Sequence, residues 1–224
     1  MKARKIFIYA VMALLLASCD SYFDYENPSL IKKDLVFSEY TYLQQLLTNV
    51  YTQLPGTFNR IDNGMLASAT DEAEHAWDYS NIQVFNTGNW DVYSNPDDCW
   101  AERYKAIRQA YVFLNGSDTT TFSVYKDVDN LYYLVYNALL KQYRGEARFL
   151  VAFSYFELFK RYGGVPIIDK ALTADDNLNI PKSSVSDVVN FIVSQCDSAI
   201  KVLPKSYDSS RSEERRVGKE CRSR

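Results

Sequence analysis

The chain has a single histidine, His75, and this bounds the chemistry that its side chains can perform. One histidine excludes His-rich metal sites, and no GxSxG sequence offers a serine-nucleophile elbow. Asp71 lies four residues before His75, so on a helix the two would share a face as half a metal site or an acid/base pair. No second metal-binding pair is evident nearby, and the alternative is an exposed or hydrogen-bonded histidine. GxGxxG and GxxxxGK are also missing, so we expect no metal site and no cofactor.

The first cysteine, Cys19, directly follows an export signal. Residues 1–18 combine a basic start with an apolar run that is too short to span a membrane. The sequence LASC at 16–19 is similar to the lipobox of bacterial lipoproteins, whose cysteine is acylated and becomes the new N-terminus. The sequence therefore predicts a signal peptide at 1–18 and a lipid anchor at Cys19, which attaches the protein to a bilayer. Cys99 and Cys196 have no metal-site spacing, and an exported location permits either a disulfide or two free thiols.

Charge separates the body of the chain from its end. Residues 19–210 carry a net charge of −9, which repels nucleic acid, so we expect no nucleic-acid partner. The last fourteen residues, RSEERRVGKECRSR, are predominantly basic and contain no aromatic residue. A natural basic tail is one interpretation. The string also resembles a translated sequencing-adaptor sequence, and we favour a non-native tail at 211–224, with the natural chain continuing beyond about residue 210.

Aromatic residues are abundant, with 18 Tyr, 12 Phe and 3 Trp. Such a composition favours rings with one packed face and a solvated hydroxyl, although Tyr also serves as filler in helical cores. One segment, 57–95, mixes these rings with Asn, Asp and Ser in the strings TDEAEHAWDY and QVFNTGNWDVYSNP, without a strong period. A connection of that length is usually functional or packed by its own side chains, so we expect binding chemistry there.

Four amphipathic helices are predicted from the spacing of apolar residues. The first begins after Ser38 and ends at Pro55-Gly56, and the second runs from about 95–97 to Asn115-Gly116 with Trp100 on its apolar stripe. The third, Asn130 to Tyr162, is apolar on more than one face and should be buried. Within it, Gly145 marks a kink or a close helix contact. The fourth begins near Ser184 or Ser186 and runs through Leu203.

The third helix carries a family resemblance. RGEARFLVAFSYFELFKRYGGVPI, residues 144–167, closely resembles the signature helix of the SusD/RagB family, surface lipoproteins that bind nutrients, mostly glycans, for an outer-membrane transporter. SVSDVVNFIVSQCDSAIKVLP and WAERYKAIRQAYVFLN resemble neighbouring helices of that family, in the expected order after the lipobox. The resemblance covers 19–207, and it departs from the family at Val151 and Lys182, where arginine is more usual.

The resemblance implies an all-α scaffold of tetratricopeptide-like helix pairs with long inserted loops. Such repeats bury their apolar faces against neighbours. Family members are roughly twice this length or more, so residues 19–210 are expected to form an N-terminal helical domain that is incomplete at its C-terminal end. The implied partners are a TonB-dependent SusC-like transporter, an oligosaccharide or polysaccharide, and the outer membrane through Cys19. The implied role is binding, without catalysis.

The resemblance also singles out Asp71, Trp90 and Asn95 as glycan-binding residues. Aromatic faces pack on the CH surface of sugar rings, and carboxylates and amides hydrogen-bond the hydroxyls. The alternatives are that Trp90 anchors the loop on the helices and that Asn95 caps a helix. Two other functions stay open at this point. A surface glycosidase would need two carboxylates flanking a cleft, and no pair stands out among the acids. A peptide-binding or structural helical-repeat adaptor is the other.

Overall fold

A computed structural model describes residues 33–56 and 59–207. The chain divides between residues 36 and 37 into two units, and apart from the start of the first helix the fold below is that of the second. The predicted signal peptide, Cys19 and the tail at 211–224 lie outside the described residues. The helices are α1 (Lys33–Ser38), α2 (Tyr40–Tyr51), α3 (Gln83–Thr87), α4 (Trp100–Gly116), α5 (Asn130–Tyr162) and α6 (Val185–Ile200), with short 3-10 turns at Leu66–Ala69 and Ser123–Tyr125.

The scaffold is built around α5, which packs against α4 on one side and α6 on another, while α2 covers both α4 and α5. The start of α4 meets the end of α5 where Asp97 bonds Arg161, and the end of α4 meets the middle of α5 where Arg144 bonds the Leu114 carbonyl. These two helices therefore run antiparallel. The prediction of an all-α fold of tetratricopeptide-like helix pairs is confirmed, with one small hairpin added.

The core is contributed by the apolar stripes of four helices. Because α5 is covered on more than one side, it supplies the largest share. The buried residues include Leu43, Leu47, Val50, Ile107, Ala110, Phe113, Leu114, Leu140, Tyr143, Ala147, Leu150, Val151, Tyr155, Leu158 and Val188. At Val151, where the family more often has arginine, the side chain is wholly buried in this core.

Helix α5 has the bounds that the sequence predicts, and its ends explain why. Asp129 caps it by accepting hydrogen bonds from the backbone N–H of Leu131 at 2.9 Å and of Tyr132 at 3.3 Å. Gly163 ends it with φ of 69°, a conformation that favours glycine. Inside the helix, a Cβ added at Gly145 would lie 2.5 Å from Cγ2 of Val202. Gly145 therefore marks a close contact with the turn that follows α6.

Three predicted helix boundaries and one predicted burial are wrong in detail. The first predicted helix corresponds to α2, which begins at Tyr40 after the extended Glu39, as predicted, but ends at Tyr51, short of Pro55-Gly56. The second begins only at Trp100, and that tryptophan, predicted as core, is 40% exposed in the first turn of α4. The fourth is capped by Ser184 as predicted, but it ends at Ile200. In the described part of the chain no helix has the length and apolarity needed to cross a membrane.

Candidate functional site

The segment between α2 and α4 contains the predicted site residues, and its own side chains pack it. Residues Asn59–Ile61 and Gly64–Met65 form an antiparallel hairpin, turned by Asp62 and Asn63, which both have positive φ. Asp62 accepts a hydrogen bond from the Asn81 backbone N–H at 2.7 Å, which joins the hairpin to the start of α3. A Cβ at Gly64 would lie 3.0 Å from the His75 ring, so glycine permits this close packing.

Amide side chains complete the packing of this segment. Gln83 donates to the backbone carbonyl of His75 at 2.7 Å. Asn86 donates to the carbonyl of Ser68 at 2.9 Å and to the Gln83 side-chain oxygen at 2.8 Å. Among the described residues, the buried side chains of Ile61 and Ile82 form a small apolar centre beside these bonds. The segment is therefore packed by its own side chains, which is one of the two alternatives that its length left open.

Exposed aromatic rings cover the outside of the segment. The rings of Trp77 and Tyr79 stack with centroids 5.9 Å apart and planes 15° from parallel. Trp90 is 52% exposed, and its ring packs at a tilt against that of Phe85 of α3, with the ring centroids 5.8 Å apart. Tyr93 is 94% exposed at the tip of a turn in which Asp91 accepts from two backbone N–H groups at 2.8 Å. Flat rings open to solvent are suited to pack against an apolar face of a ligand.

Trp77 and Tyr79 were missed by the sequence prediction, which selected Asp71, Trp90 and Asn95. Their string, TDEAEHAWDY, places two rings among carboxylates without a helical period, and that pattern was the available indication. Asp71 is exposed and near them in sequence. Trp90 is neither fully packed nor free, because one face meets Phe85 while half of its surface stays open. The assignment of Asp71, Trp90 and Asn95 to binding therefore stays a prediction.

The metal or acid/base pairing of Asp71 with His75 lacks the geometry it required. Residues 70–79 are not helical, so the spacing of four does not put the two side chains on one face. His75 instead accepts a hydrogen bond from the Trp77 backbone N–H at Nδ1, at 3.2 Å, and packs edge-on against the Trp77 ring. Within 33–56 and 59–207 no cluster of three or more metal-binding side chains occurs.

Asn95 organises the turn that leads into α4 rather than capping the helix. Its side-chain oxygen accepts from the Asp97 backbone N–H at 3.0 Å, and its carbonyl accepts from the Asp98 N–H at 3.1 Å. This is an Asx turn, and Asn95 lies four residues before Cys99, the N-cap residue of α4. The half-buried side chain keeps its amide N–H₂ group available for a ligand.

A buried ionic cluster ties this turn to the end of α5. Arg161 donates to both carboxylate oxygens of Asp97, at 2.7 and 2.8 Å, and to Glu157 at 2.8 Å. Burial acts against the charge of Glu157, yet hydrogen bonds from Lys160 and Arg161 hold its pKa below the usual value. Tyr162 bonds Asp98 and the Cys99 backbone N–H. The site loop is therefore fixed to the scaffold at its C-terminal end.

A cleft of about 310 Å³ lies beside this cluster. Acidic side chains line it, among them Asp62, Asp97 and Glu157, together with the buried Arg103. A glycosidase acid needs a raised pKa, and Glu157 has a lowered one. Asp97 and Glu157 are both ion-pair partners of Arg161, at 2.7 and 2.8 Å. Nearby Cys99 and the distant Cys196 are both free thiols, and burial raises the pKa of Cys99.

Comparisons with known proteins agree with this architecture. The sequence profile of a SusD-like family, described as starch-binding proteins associating with the outer membrane, matches residues 21–217. A SusD-like protein P38 from Formosa agariphila is 43% identical over 63 residues, which is 28% of this chain and 12% of that protein. The chain thus spans a small part of that relative.

Solved structures extend the similarity to the fold. A SusD-like protein from Bacteroides fragilis is 27% identical with a TM-score of 0.59, over 79% of this chain and 32% of that one. A laminarin-binding SusD-like protein has a TM-score of 0.60 at 19% identity, over 78% of this chain and 36% of that one. The chain spans about a third of the length of these solved relatives. Since the family profile matches most of its residues, the chain belongs to the SusD-like family.

Proposed function

We propose that this protein binds oligosaccharide through the exposed aromatic loop and delivers it to a TonB-dependent, SusC-like transporter in the outer membrane. The observation that supports binding is the set of solvent-open rings, Trp77, Tyr79, Trp90 and Tyr93, on a loop that polar bonds hold in place. Exposing so much apolar ring surface has a cost in water, which a sugar face packed on the rings would offset.

The neighbouring polar groups suit sugar hydroxyls. The Asp71 carboxylate is an exposed acceptor, and the Asn95 amide offers donors beside the same loop. Relatives described as starch-binding and laminarin-binding are consistent with neutral glucans as ligands. The acidic body argues against nucleic acid, and binding without catalysis agrees with the lowered pKa of Glu157. Acylation at Cys19 would hold the protein on the membrane surface.

Replacing Trp90 tests binding most directly. We expect Trp90→Ala, and independently Trp77→Ala, to weaken binding of laminarin or starch oligosaccharides by about 1–3 kcal/mol, by analogy with base stacking on aromatic side chains. Isothermal titration calorimetry on the full chain measures this. Phe149→Ala is the matched control, because Phe149 is a half-exposed ring on α5, outside the loop.

Two results would contradict the proposal. Shortening of the oligosaccharide by the wild-type chain would indicate an enzyme. A fall in melting temperature for Trp90→Ala with unchanged affinity would assign the ring to packing against Phe85.

A further inference from the structure

A second cleft, of about 500 Å³, lies between the C-terminal half of α4, the middle of α5 and α6. We call it the α4–α6 cleft. Neither the residues predicted to bind glycan, Asp71, Trp90 and Asn95, nor any other residue of the loop lines it. Seven of its nine lining residues carry hydrogen-bonding side chains, among them Tyr111, Asn115, Arg144, Arg148, Asp169 and Gln195.

The Tyr111 hydroxyl in this cleft is buried and has no hydrogen-bond partner. The residue is only 5% exposed, so the hydroxyl does not recover its hydrogen bonds from bulk water. Burial raises the pKa of Tyr111 to about 12; the negative charge of Asp169 adds to the rise and Arg148 opposes it. The hydroxyl therefore stays protonated at neutral pH and can donate. An unpaired buried hydroxyl destabilises the fold, and a hydrogen bond to a ligand acceptor would offset that cost.

Arg148 differs from Arg144, one helical turn earlier on α5. Arg144 makes three hydrogen bonds: it donates to the Leu114 carbonyl and the Ser117 hydroxyl, both at 3.0 Å, and pairs with Asp118 at 2.6 Å. Arg148 makes one hydrogen bond, to the Gln195 side-chain oxygen at 3.2 Å. In the part of the chain that the structure describes, no carboxylate lies within ion-pairing distance of it. Most donors of its guanidinium are available to a ligand.

An arginine with donors to spare and a tyrosine hydroxyl without an acceptor fit a carboxylate, which accepts several hydrogen bonds at once. We propose that the α4–α6 cleft binds the carboxylate of an acidic sugar, a uronic acid, with Arg148 and Tyr111 donating to it. The other walls favour a sugar over a peptide terminus, because Asn115, Gln195 and Asp169 match hydroxyl groups and only Leu114 and Phe191 are apolar. The choice of a sugar rests on the proposed function.

Titration of the full chain with D-glucuronate and with D-glucose tests this inference. The two sugars differ only at C6, which is a carboxylate in glucuronate and a hydroxymethyl group in glucose. We expect glucuronate to bind at least about tenfold more tightly than glucose. This ratio corresponds to the contribution of one hydrogen bond to a charged group. Arg148→Gln should remove that preference. Arg108→Gln is the matched control, since it removes the same charge from an exposed position of α4 outside the cleft.

Tyr111→Phe separates binding from folding. It removes an unpaired buried hydroxyl, so we expect the melting temperature to stay the same or rise while the glucuronate affinity falls about threefold. A preference for glucuronate that survives Arg148→Gln, or no preference in the wild type, would overturn the inference. Tighter binding of N-acetylalanine than of glucuronate would assign the cleft to peptide termini and overturn it too. Laminarin binding measured on the same samples reports separately on the aromatic loop, so either proposal can fail alone.

Discussion

Tyrosines occur both in the helical scaffold and in the loop before α4, but their environments are opposite. In the scaffold the rings of Tyr40 and Tyr143 are packed, and their hydroxyls bond each other at 2.7 Å. Tyr155 is fully buried, and its hydroxyl accepts from the Ile168 N–H at 2.7 Å and contacts the Ile168 carbonyl. In the loop, Tyr79 and Tyr93 are 82% and 94% exposed.

This difference shows that one residue type, tyrosine, has two different environments in the same chain. A scaffold tyrosine buries a large ring and satisfies its hydroxyl, which stabilises the fold. A loop tyrosine buries little, so its presence is better explained by what it contacts outside the chain. The abundance of tyrosine in the composition therefore describes neither region by itself.

Different interactions stabilise the interior of each region. Apolar contacts between long helices dominate the scaffold, whereas amide and carboxylate hydrogen bonds order the loop. They meet at the ionic cluster of Asp97, Glu157 and Arg161. If this division is right, substitutions in the scaffold should change stability, and substitutions in the loop should change binding.

The largest effect is expected from Tyr155→Ala in the scaffold. Loss of a fully buried aromatic ring should lower the free energy of unfolding by about 3–5 kcal/mol, because the cavity and the lost bonds to Ile168 add to the transfer term. Urea denaturation of the full chain measures it. The loop counterpart, Tyr93→Ala, should change stability by less than about 0.5 kcal/mol. Equal losses for both variants would contradict the division between scaffold and loop.

A smaller, pH-dependent effect is expected at the junction of the two regions. The pKa of Glu157 is lowered in the folded protein from its usual 4.5, so its contribution to stability is present above that pH and is lost as the pH falls through the folded-state value. Glu157→Gln should therefore reduce stability by about 1–3 kcal/mol at pH 7. The deficit should shrink in acid.

Thermal melts of wild type and variant between pH 7 and pH 3 measure this dependence. Glu72→Gln is the control, because Glu72 lies at an exposed loop position with no ion pair among the described residues. Its melting temperature should equal that of the wild type at every pH. A deficit for Glu157→Gln that stays constant down to pH 3 would exclude an ionic origin for the junction.

Sequence patterns predicted the scaffold well where local chemistry marks its ends. Helix α5 has a capping Asp129 and a terminal Gly163, and α6 has Ser184, so their starts and the end of α5 are readable from single residues. The start of α4 was missed because Asn95 draws the backbone into an Asx turn, which competes with helix formation. The burial of Trp100 was overestimated because the apolar period does not tell whether a first turn is covered.

The loop was predictable as a location but not as a geometry. Its length and composition indicated binding chemistry, which stays a prediction, and the structure adds that the rings are exposed. The pairing of Asp71 with His75 assumed a helix that does not form, and Trp77 was overlooked because an aperiodic segment does not indicate which side chains face solvent. The unpaired state of Arg148 was also unreadable, since it depends on how three helices come together.

The smallest and sharpest effect is expected at Asn95, where turn formation and ligand binding can be separated. Asn95→Asp keeps an oxygen that accepts from the Asp97 N–H, so the turn and the melting temperature should be retained. It removes the N–H₂ donor, so glycan affinity should fall by about 0.5–1.5 kcal/mol, the usual net value of one hydrogen bond. Asn95→Ala removes both groups and should lower affinity and stability together. If Asn95→Asp binds laminarin as tightly as wild type, the amide acts only in the turn, and binding in this loop rests on its aromatic rings.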